Sequence, residues 1–278
     1  MSNTLSTVAV TEFDSMVKHA YQNASLLRNA VTVRNNVVGD TYKFRAMGKG
    51  TASARGTTQT DVTPMNVAHS LITATLANYV APEYTDIFDQ AEVNFDEKQE
   101  LAKTIAGALG RRLDDIVISA MDAATPAATV GVGTTALAAE DLIDAKVELV
   151  KGGVGSADLY CAISGAGLAG LLADEKVSSA DYQNVKALVN GEVNTFAGFN
   201  VIVIEDRTVG GLTTTADVTA GYAFAKDAIG LAIGVDNKTT IDYVPEKVSY
   251  LCNGMLKAGA AVRDTAGLIQ INFDATPA

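Results

Sequence analysis

Three glycines with the spacing of a dinucleotide-binding motif follow an apolar, strand-like stretch of this chain. Gly165, Gly167 and Gly170 stand before a predicted helix, which is the order that such a cofactor site requires. The motif also needs an acidic residue about 20 positions further on to hold the ribose. Position 190 is Asn190, and the next strand that ends in an acid reaches only Glu205. The spacing therefore departs from that of a cofactor site.

A structural role for these glycines fits the sequence better. Ser164 is placed to cap the helix, and the small residues allow it to pack closely on the sheet. We predict a packing turn here. The alternative, from another functional class, is that the same glycines bind the cofactor of a nicotinamide-dependent oxidoreductase.

Other residue types that could support chemistry lack suitable partners. The stretch Gly48–Thr51 has part of a phosphate-binding loop, but the full motif needs a glycine where Lys43 stands and a helix afterwards. Lys49 is therefore expected to be a solvated charge at a hairpin tip. The two histidines, His19 and His69, are too far apart for a zinc motif. We predict no catalytic, cofactor or metal site.

The composition indicates a globular protein. Of the 278 residues, 48% are hydrophobic and 19% are charged. The longest apolar runs, such as 201–204, are far shorter than the roughly 20 residues of a membrane span, so no membrane association is expected. Cys161 and Cys252 lie in apolar stretches and are predicted to be buried thiols, and no secretory signal is evident. A cytoplasmic origin is expected.

Charge is strongly negative and unevenly distributed. The net charge of −11 argues against a surface that grips nucleic acid, because such binding depends on clustered lysine and arginine. A basic segment nevertheless precedes an acidic one. The subunit-contact candidates in these segments are Lys43, Arg45, Lys49, Arg55, Glu83, Asp86, Asp89 and Glu92.

Two segments near the N-terminus expose features that one chain cannot bury. Residues 11–27 form a predicted amphipathic helix with an apolar stripe. Residues 31–46 and 67–80 are predicted strands, and the polar stretch between them makes an extended hairpin. Both features suggest contact with other subunits.

The strongest helix pattern covers residues 94–121, with Asn94 and Glu97 placed as a capping box. At about 1.5 Å per residue, it would span about 40 Å. An α/β module follows, with helices over 138–153 and 178–190 and a single strand over 221–233. Long strands with a turn near Asp264 complete the chain, so the fold class is α+β.

The order of these pieces resembles the major capsid proteins of tailed bacteriophages, which have the Hong Kong 97 fold, and especially their short-tailed-phage branch. The stretch from Thr41 to Asp89 resembles that branch's E-loop running into the approach to the spine helix, and LAKTIAGALGRRLDDIVISAM is similar to the spine helix itself. DLYCAISGAGLAGLLAD, followed by GFNVIVIED, looks like the axial domain. The closing strands resemble the last axial strand and the peripheral domain.

The resemblance implies a division of the chain into five parts. These are an N-terminal arm (1–35), an E-loop hairpin (36–82), the spine helix with part of the peripheral domain (83–124), an axial domain (125–236) and peripheral strands (237–278).

It also implies a structural role without catalysis. Subunits of the family form hexamers and pentamers, which build an icosahedral shell around double-stranded DNA. The expected place of action is the virion capsid, assembled in the host cytoplasm. An encapsulin-like nanocompartment, which has the same fold, is the nearest alternative.

The resemblance implies further partners, and this sequence differs from some family members in two ways that affect this expectation. The amphipathic segment begins by Thr11, where some relatives carry a long cleavable scaffolding segment, so a separate scaffolding protein is expected beside a portal. The packaged DNA would be enclosed without sequence-specific binding. Some relatives also crosslink an E-loop lysine to an asparagine in the peripheral domain of a neighbouring subunit. Lys49 and Asn253 occupy loosely comparable regions but do not align with that chemistry, and no crosslink is expected.

Overall fold

The computed structural model describes residues 25–58, 61–88, 96–155, 158–174 and 195–275. The helix predicted over 11–27 lies almost wholly outside these ranges, and the one predicted over 178–190 lies entirely outside them. The described residues form two larger sheets, a separate hairpin and three α-helices. This arrangement agrees with the predicted α+β class.

The bounds of the elements are as follows. The strands are β1 (Thr32–Arg34), β2 (Thr41–Met47), β3 (His69–Thr75), β4 (Ala77–Asp86), β5 (Ala128–Val130), β6 (Leu159–Ser164), β7 (Thr195–Phe196), β8 (Phe199–Ile204), β9 (Thr214–Thr215), β10 (Val218–Ala225), β11 (Ile229–Val244), β12 (Ser249–Val262) and β13 (Leu268–Asp274). The helices are α1 (Glu97–Ala123), α2 (Ala139–Lys151) and α3 (Gly165–Ala173), with short 3-10 turns at Arg28–Ala30, Lys226–Ala228, Pro245–Lys247 and Thr265–Gly267.

A four-stranded sheet of order β1-β11-β12-β4 supports the long helix α1. Ile105, Leu109 and Leu113 on α1 are each at most 5% exposed. At Gly254 on β12 an added Cβ atom would lie 2.2 Å from Ile105, so only glycine lets the helix lie this close to the strand. The 27-residue helix confirms the predicted length. Its start differs from the prediction, because Asp96 and not Asn94 is the N-cap and accepts a hydrogen bond from the Lys98 backbone.

A seven-stranded mixed sheet forms the second unit, in the order β5-β13-β10-β6-β8-β7 with β9 paired to β10. Helices α2 and α3 contact this sheet. The predicted end of α2 is confirmed, since the helix stops at Gly152 and Gly153 follows with a φ of 82°. Buried residues of both sheets and all three helices form one continuous core.

Three predicted strands are in fact pairs of strands. The predicted strand 31–46 breaks into β1 and β2, because Asn36 and Gly39 take positive φ angles of 59° and 106° between them. The predicted strand 67–80 breaks at Leu76, whose N–H donates to the Asp40 carbonyl. As a result β3 stays in the hairpin, whereas β4 joins the four-stranded sheet.

The third break redirects the chain between the two sheets. The predicted strand 221–233 is interrupted by the 3-10 turn Lys226–Ala228, so β10 lies in the seven-stranded sheet and β11 in the four-stranded one. Strand β11 continues past residue 236, the end of the axial domain that the resemblance implies, and its pairing with β12 is irregular between Ile233 and Lys238. The last strand, β13, returns to the seven-stranded sheet beside β10.

Candidate assembly surfaces

The glycine turn that resembled a cofactor site is filled by protein side chains. Ser164 accepts a hydrogen bond of 3.3 Å from the Gly167 backbone, which confirms it as the helix cap. A Cβ atom at Gly167 would lie 3.1 Å from the Phe273 ring, and one at Gly170 would lie 2.8 Å from the Leu137 carbonyl oxygen. These two glycines are therefore explained by close packing.

The surrounding topology shares part of the dinucleotide-binding pattern. Strands β6 and β8 are parallel neighbours, and Glu205 follows the end of β8, as in a βαβ unit. The space that a pyrophosphate would need at the second glycine is occupied by Phe273, however. Glu205 in turn faces Arg207, with 3.9 Å between the carboxylate and the guanidinium. The turn is thus a packing feature of the seven-stranded sheet.

The hairpin β2–β3 has one anchored face and one exposed face. Phe44 is 5% exposed, and at Gly230 of β11 a Cβ atom would lie 2.6 Å from its ring. The opposite face of β2 carries Lys43 and Arg45, both exposed, together with Met47, which is 69% exposed. Leu71, paired across from Arg45, is 60% exposed. The outer face therefore combines apolar side chains with two cations.

The tip of the hairpin contacts another part of the same chain. Lys49 donates a hydrogen bond from Nζ to the carbonyl oxygen of Gly152, at the C-terminal end of α2. A cation at this end of a helix interacts favourably with the helix dipole. Lys49 is exposed, as predicted for a charge at the hairpin tip, and the structure adds its contact with the end of α2. Arg55, further along the tip, is also exposed.

Two of the four acidic candidates lie in described residues, both on β4. Glu83 is exposed and pairs in register with Cys252, and Asp86 is half-buried and pairs with Ser249. Asp86 accepts a hydrogen bond of 2.7 Å from the Phe88 backbone. Neither carboxylate forms an ion pair with a basic side chain of the described ranges. Two other candidates lie outside the described residues, namely Asp89 and Glu92.

The cysteines match the prediction of buried thiols. Both are free and fully buried. Burial raises the pKa of the Cys161 thiol to about 12 and also raises that of Cys252. A thiol with so high a pKa is a poor nucleophile near neutral pH.

Within the described ranges, no three acidic, histidine or cysteine side chains are grouped closely enough to hold a metal ion. In the same part of the chain, no helix combines the length and apolar character needed to cross a bilayer.

Lys49 and Asn253 do not meet within one chain. Asn253 lies in the middle of β12, where Thr240 and Pro82 are its neighbours on the adjoining strands. Lys49 instead contacts Gly152 beside the other sheet.

Sequence reasoning missed one polar site, at the middle of α1. Asp114 is fully buried and accepts hydrogen bonds from Ser25 Oγ at 2.6 Å and from the backbone N–H groups of Leu26 and Leu27 at 3.1 Å each. Arg207 donates a fourth hydrogen bond of 2.8 Å. The available signal was an acid directly beside Leu113 in the apolar stripe of a helix.

Comparisons with known proteins identify the class to which this architecture belongs. The family model described as phage capsid protein matches residues 5–275. The chain belongs to the phage capsid protein family. This family assignment confirms the resemblance seen in the sequence, and it makes the chain a structural protein. A search of curated proteins finds no match.

Solved capsid structures have the same fold over nearly the whole chain. The capsid structure of the cyanophage P-SCSP1u is similar at a TM-score of 0.77 and 17% identity, and the match covers 99% of this chain and 96% of that one. The head structure of Helicobacter pylori bacteriophage KHP40 is similar at a TM-score of 0.77 and 11% identity, with 99% and 98% coverage. The capsid of a native GTA particle is similar at a TM-score of 0.72 and 19% identity, with 97% and 96% coverage.

These similarities give the elements their family names. The hairpin β2–β3 with its tip is consistent with an E-loop, and α1 with a spine helix. The family assignment favours a major capsid protein over both alternatives, the encapsulin-like shell and the oxidoreductase.

Proposed function

We propose that this phage capsid protein is the repeating subunit of an icosahedral shell, assembled through hexamers and pentamers, that encloses double-stranded DNA without reading its sequence. The observation that carries the proposal is the E-loop hairpin, because its outer face holds exposed cations and apolar side chains that the described part of the same chain leaves uncovered. A separate scaffolding protein and a portal complete the proposed set of partners. The proposed role involves no catalysis, and the proposed place of assembly is the host cytoplasm.

We further propose a domain assignment that follows the sheets. The seven-stranded sheet with α2 and α3 is the axial domain, and the four-stranded sheet with the spine helix is the peripheral domain. Strand β13 is grouped with the axial domain because it pairs with β10. The E-loop hairpin, a two-stranded sheet of its own, is assigned to neither unit.

The proposed contact joins the E-loop of one subunit to the acidic strand of its neighbour. Lys43 and Arg45 project from the outer face of β2, and Arg55 extends from the tip. Glu83 and Asp86 on β4 of the neighbour are the proposed partners, and the acidic run continues in the sequence to Asp89 and Glu92. Lys49 is set apart from this group, because it already binds the end of α2 in its own chain.

The energetics predict a salt-sensitive contact. Each exposed ion pair contributes only about 0–1 kcal/mol. The same weak contact is repeated around every capsomer, so its total effect on assembly is large. Because charges are screened over about 8 Å at physiological ionic strength, the strength of the contact depends on the salt concentration.

A charge reversal tests the proposal. The double variant Lys43→Glu/Arg45→Glu is expected to reduce the yield of shells seen by negative-stain electron microscopy, and added salt is expected to lessen this loss because it screens the new repulsion between like charges. The matched control is Arg34→Glu/Lys238→Glu, which makes the same change in net charge at two other exposed sites. The control is expected to assemble like the unmodified protein.

A charge swap then distinguishes a specific contact from a general effect of charge. Adding Glu83→Lys/Asp86→Lys to the first variant is expected to restore shells. If the Lys43→Glu/Arg45→Glu variant assembles normally, the proposed contact is wrong. If the unmodified protein forms neither shells nor capsomers, with or without a scaffolding protein, the assignment as a shell subunit is wrong.

A further inference from the structure

The buried carboxylate of Asp114 connects three parts of the chain that are far apart in sequence. One oxygen of the carboxylate accepts from Ser25 and Leu27, and the other accepts from Leu26 and Arg207. We call these five residues the Asp114 joint. The N-terminal segment that begins the described chain is thus held on the spine helix at a single charged group.

The loop that carries Arg207 is fixed on the same helix by several contacts. Arg207 Nε donates to the Gly210 carbonyl at 3.0 Å, and the Gly210 N–H approaches Asp115 Oδ1 at 3.4 Å. Gly210 has a φ of 74°, and a Cβ atom there would lie 2.3 Å from the Arg111 carbonyl oxygen. Only glycine therefore allows the loop this close to the helix.

The charge of Asp114 makes the attachment of the N-terminal segment and the attachment of the Arg207 loop depend on each other. Asp114 is fully buried, and the Arg207 side chain is only 9% exposed. A carboxylate taken out of water needs both a counter-charge and hydrogen-bond donors, and losing one partner leaves the remaining group unpaired at high cost. The backbone donors at Leu26 and Leu27 are therefore well held only while Arg207 neutralises the site.

We propose that the Asp114 joint couples residues 25–30 to the loop 205–211, so that breaking the contact of either segment with Asp114 loosens the other segment. The spine helix packs on the four-stranded sheet, whereas the loop continues from β8 of the seven-stranded sheet. The joint thus links the point where the N-terminal arm enters the fold to both sheets. A partner that pulls on the arm would move the axial domain through one carboxylate.

Hydrogen exchange of the full chain, in unassembled subunits, tests this coupling. Arg207→Met keeps the length of the side chain but removes its charge and donors. It is expected to speed backbone exchange in residues 25–30 about tenfold or more, because Arg207 and that segment bind the same carboxylate, that of Asp114. Ser25→Ala, a milder change, is expected to speed exchange in 205–211.

Arg28→Ala is the matched control, because it weakens the same N-terminal segment at a different place. Arg28 binds Asp236 on β11 and does not contact the Asp114 joint. This variant is expected to speed exchange in 25–30 and to leave 205–211 within about twofold of the unmodified protein. Coupling is overturned if Arg207→Met affects only 205–211 and Ser25→Ala affects only 25–30. Should Arg207→Met fail to fold, the Ser25→Ala result decides alone.

Discussion

At the scale of single residues, the turn between β11 and β12 holds a β-branched residue, Val248, in a strained backbone conformation. Val248 ends the 3-10 turn Pro245–Lys247 with a φ of 50° and a ψ of 35°, in the left-handed region. A β-branched side chain is rarely found there, and the conformation costs about 1–2 kcal/mol. Val248 is also 44% exposed, so it gains little from burial in the single chain.

Replacing Val248 with glycine is therefore expected to stabilise the subunit. The gain in the free energy of unfolding is expected to be about 1 kcal/mol, measured by urea unfolding of unassembled protein. Val38→Gly is the matched control, because Val38 is 96% exposed but has no positive φ, and it is expected to give no gain. Equal effects from both substitutions would refute the assignment of strain to Val248.

A second residue-scale prediction concerns acid stability. Two hydrogen bonds of 3.0 and 2.5 Å from the Arg28 guanidinium hold the pKa of Asp236 below its ordinary value of 3.8. Because the folded pKa is depressed, the stability that this pair adds is present in full above the unfolded pKa. It is lost as the pH falls through the lower, folded value.

NMR titration of the Asp236 carboxyl group checks this prediction. In Arg28→Ala the pKa of Asp236 is expected to rise toward 3.8, and the stability difference from the unmodified protein to vanish at pH values below that of the folded pair. Both groups are partly exposed, so the difference at neutral pH is expected to be below about 1 kcal/mol. Arg34→Ala, which removes another exposed arginine, is expected to leave the titration unchanged.

At the scale of elements, the packing of α3 depends on the close approach of another backbone segment to Gly170, the third glycine of the turn. Gly170 faces the backbone of Leu137, with the carbonyl oxygen 2.8 Å and the nitrogen 2.9 Å from an added Cβ atom. Gly165, at the start of the same helix, has open space at the same position. The same helix thus contains one glycine with no room for a Cβ atom and one with open space for it.

Gly170→Ala is expected to destabilise the protein by about 1–3 kcal/mol in thermal unfolding, because a neighbouring backbone cannot give way easily. Gly165→Ala is expected to change stability by less than about 0.5 kcal/mol. Alanine has a better helix propensity than glycine in a helix interior, where Gly170 lies, so a loss of stability in Gly170→Ala would come from packing. A larger loss from Gly165→Ala would favour a functional role for the first glycine and contradict the packing interpretation.

At the scale of the whole molecule, the net charge of −11 determines the electrostatic interaction between the protein and DNA. A shell subunit with this charge should repel duplex DNA in solution, which suits a container that must not trap its contents. We expect no complex with a short DNA duplex in a gel-shift assay at about 10 μM protein and physiological salt. The variant Glu83→Lys/Asp86→Lys should bind more strongly, with a steeper dependence on salt. Tight binding by the unmodified protein would contradict this view of the surface.

Much of the fold could be predicted from local sequence patterns. The long helix, the hairpin and the capped turn at Ser164 were recognisable because periodic apolar residues and capping residues act over a few positions. The break at Lys226–Ala228 was not recognisable, since the apolar pattern continues across it while the chain passes from one sheet to the other. Sheet membership depends on distant partners, as the return of β13 to β10 also shows.

The candidate contact residues likewise include some whose placement follows from local sequence and some whose placement depends on the tertiary structure. Alternation along β2 was sufficient to place Lys43 and Arg45 on one face, because successive side chains of a strand point to opposite sides. The binding of Lys49 to the end of α2 joins positions 103 residues apart, and local patterns carry no information about such a pair.

By itself, the sequence determined the fold class, the order of the elements and the absence of a complete cofactor motif, because these follow from composition, periodicity and spacing. Only the tertiary structure decided which glycines are crowded, which strands share a sheet, and that Asp114 gathers donors from residues 25–27 and 207. Burial of a charge is a property of the surrounding atoms. Those atoms come from segments that only the folded chain brings together.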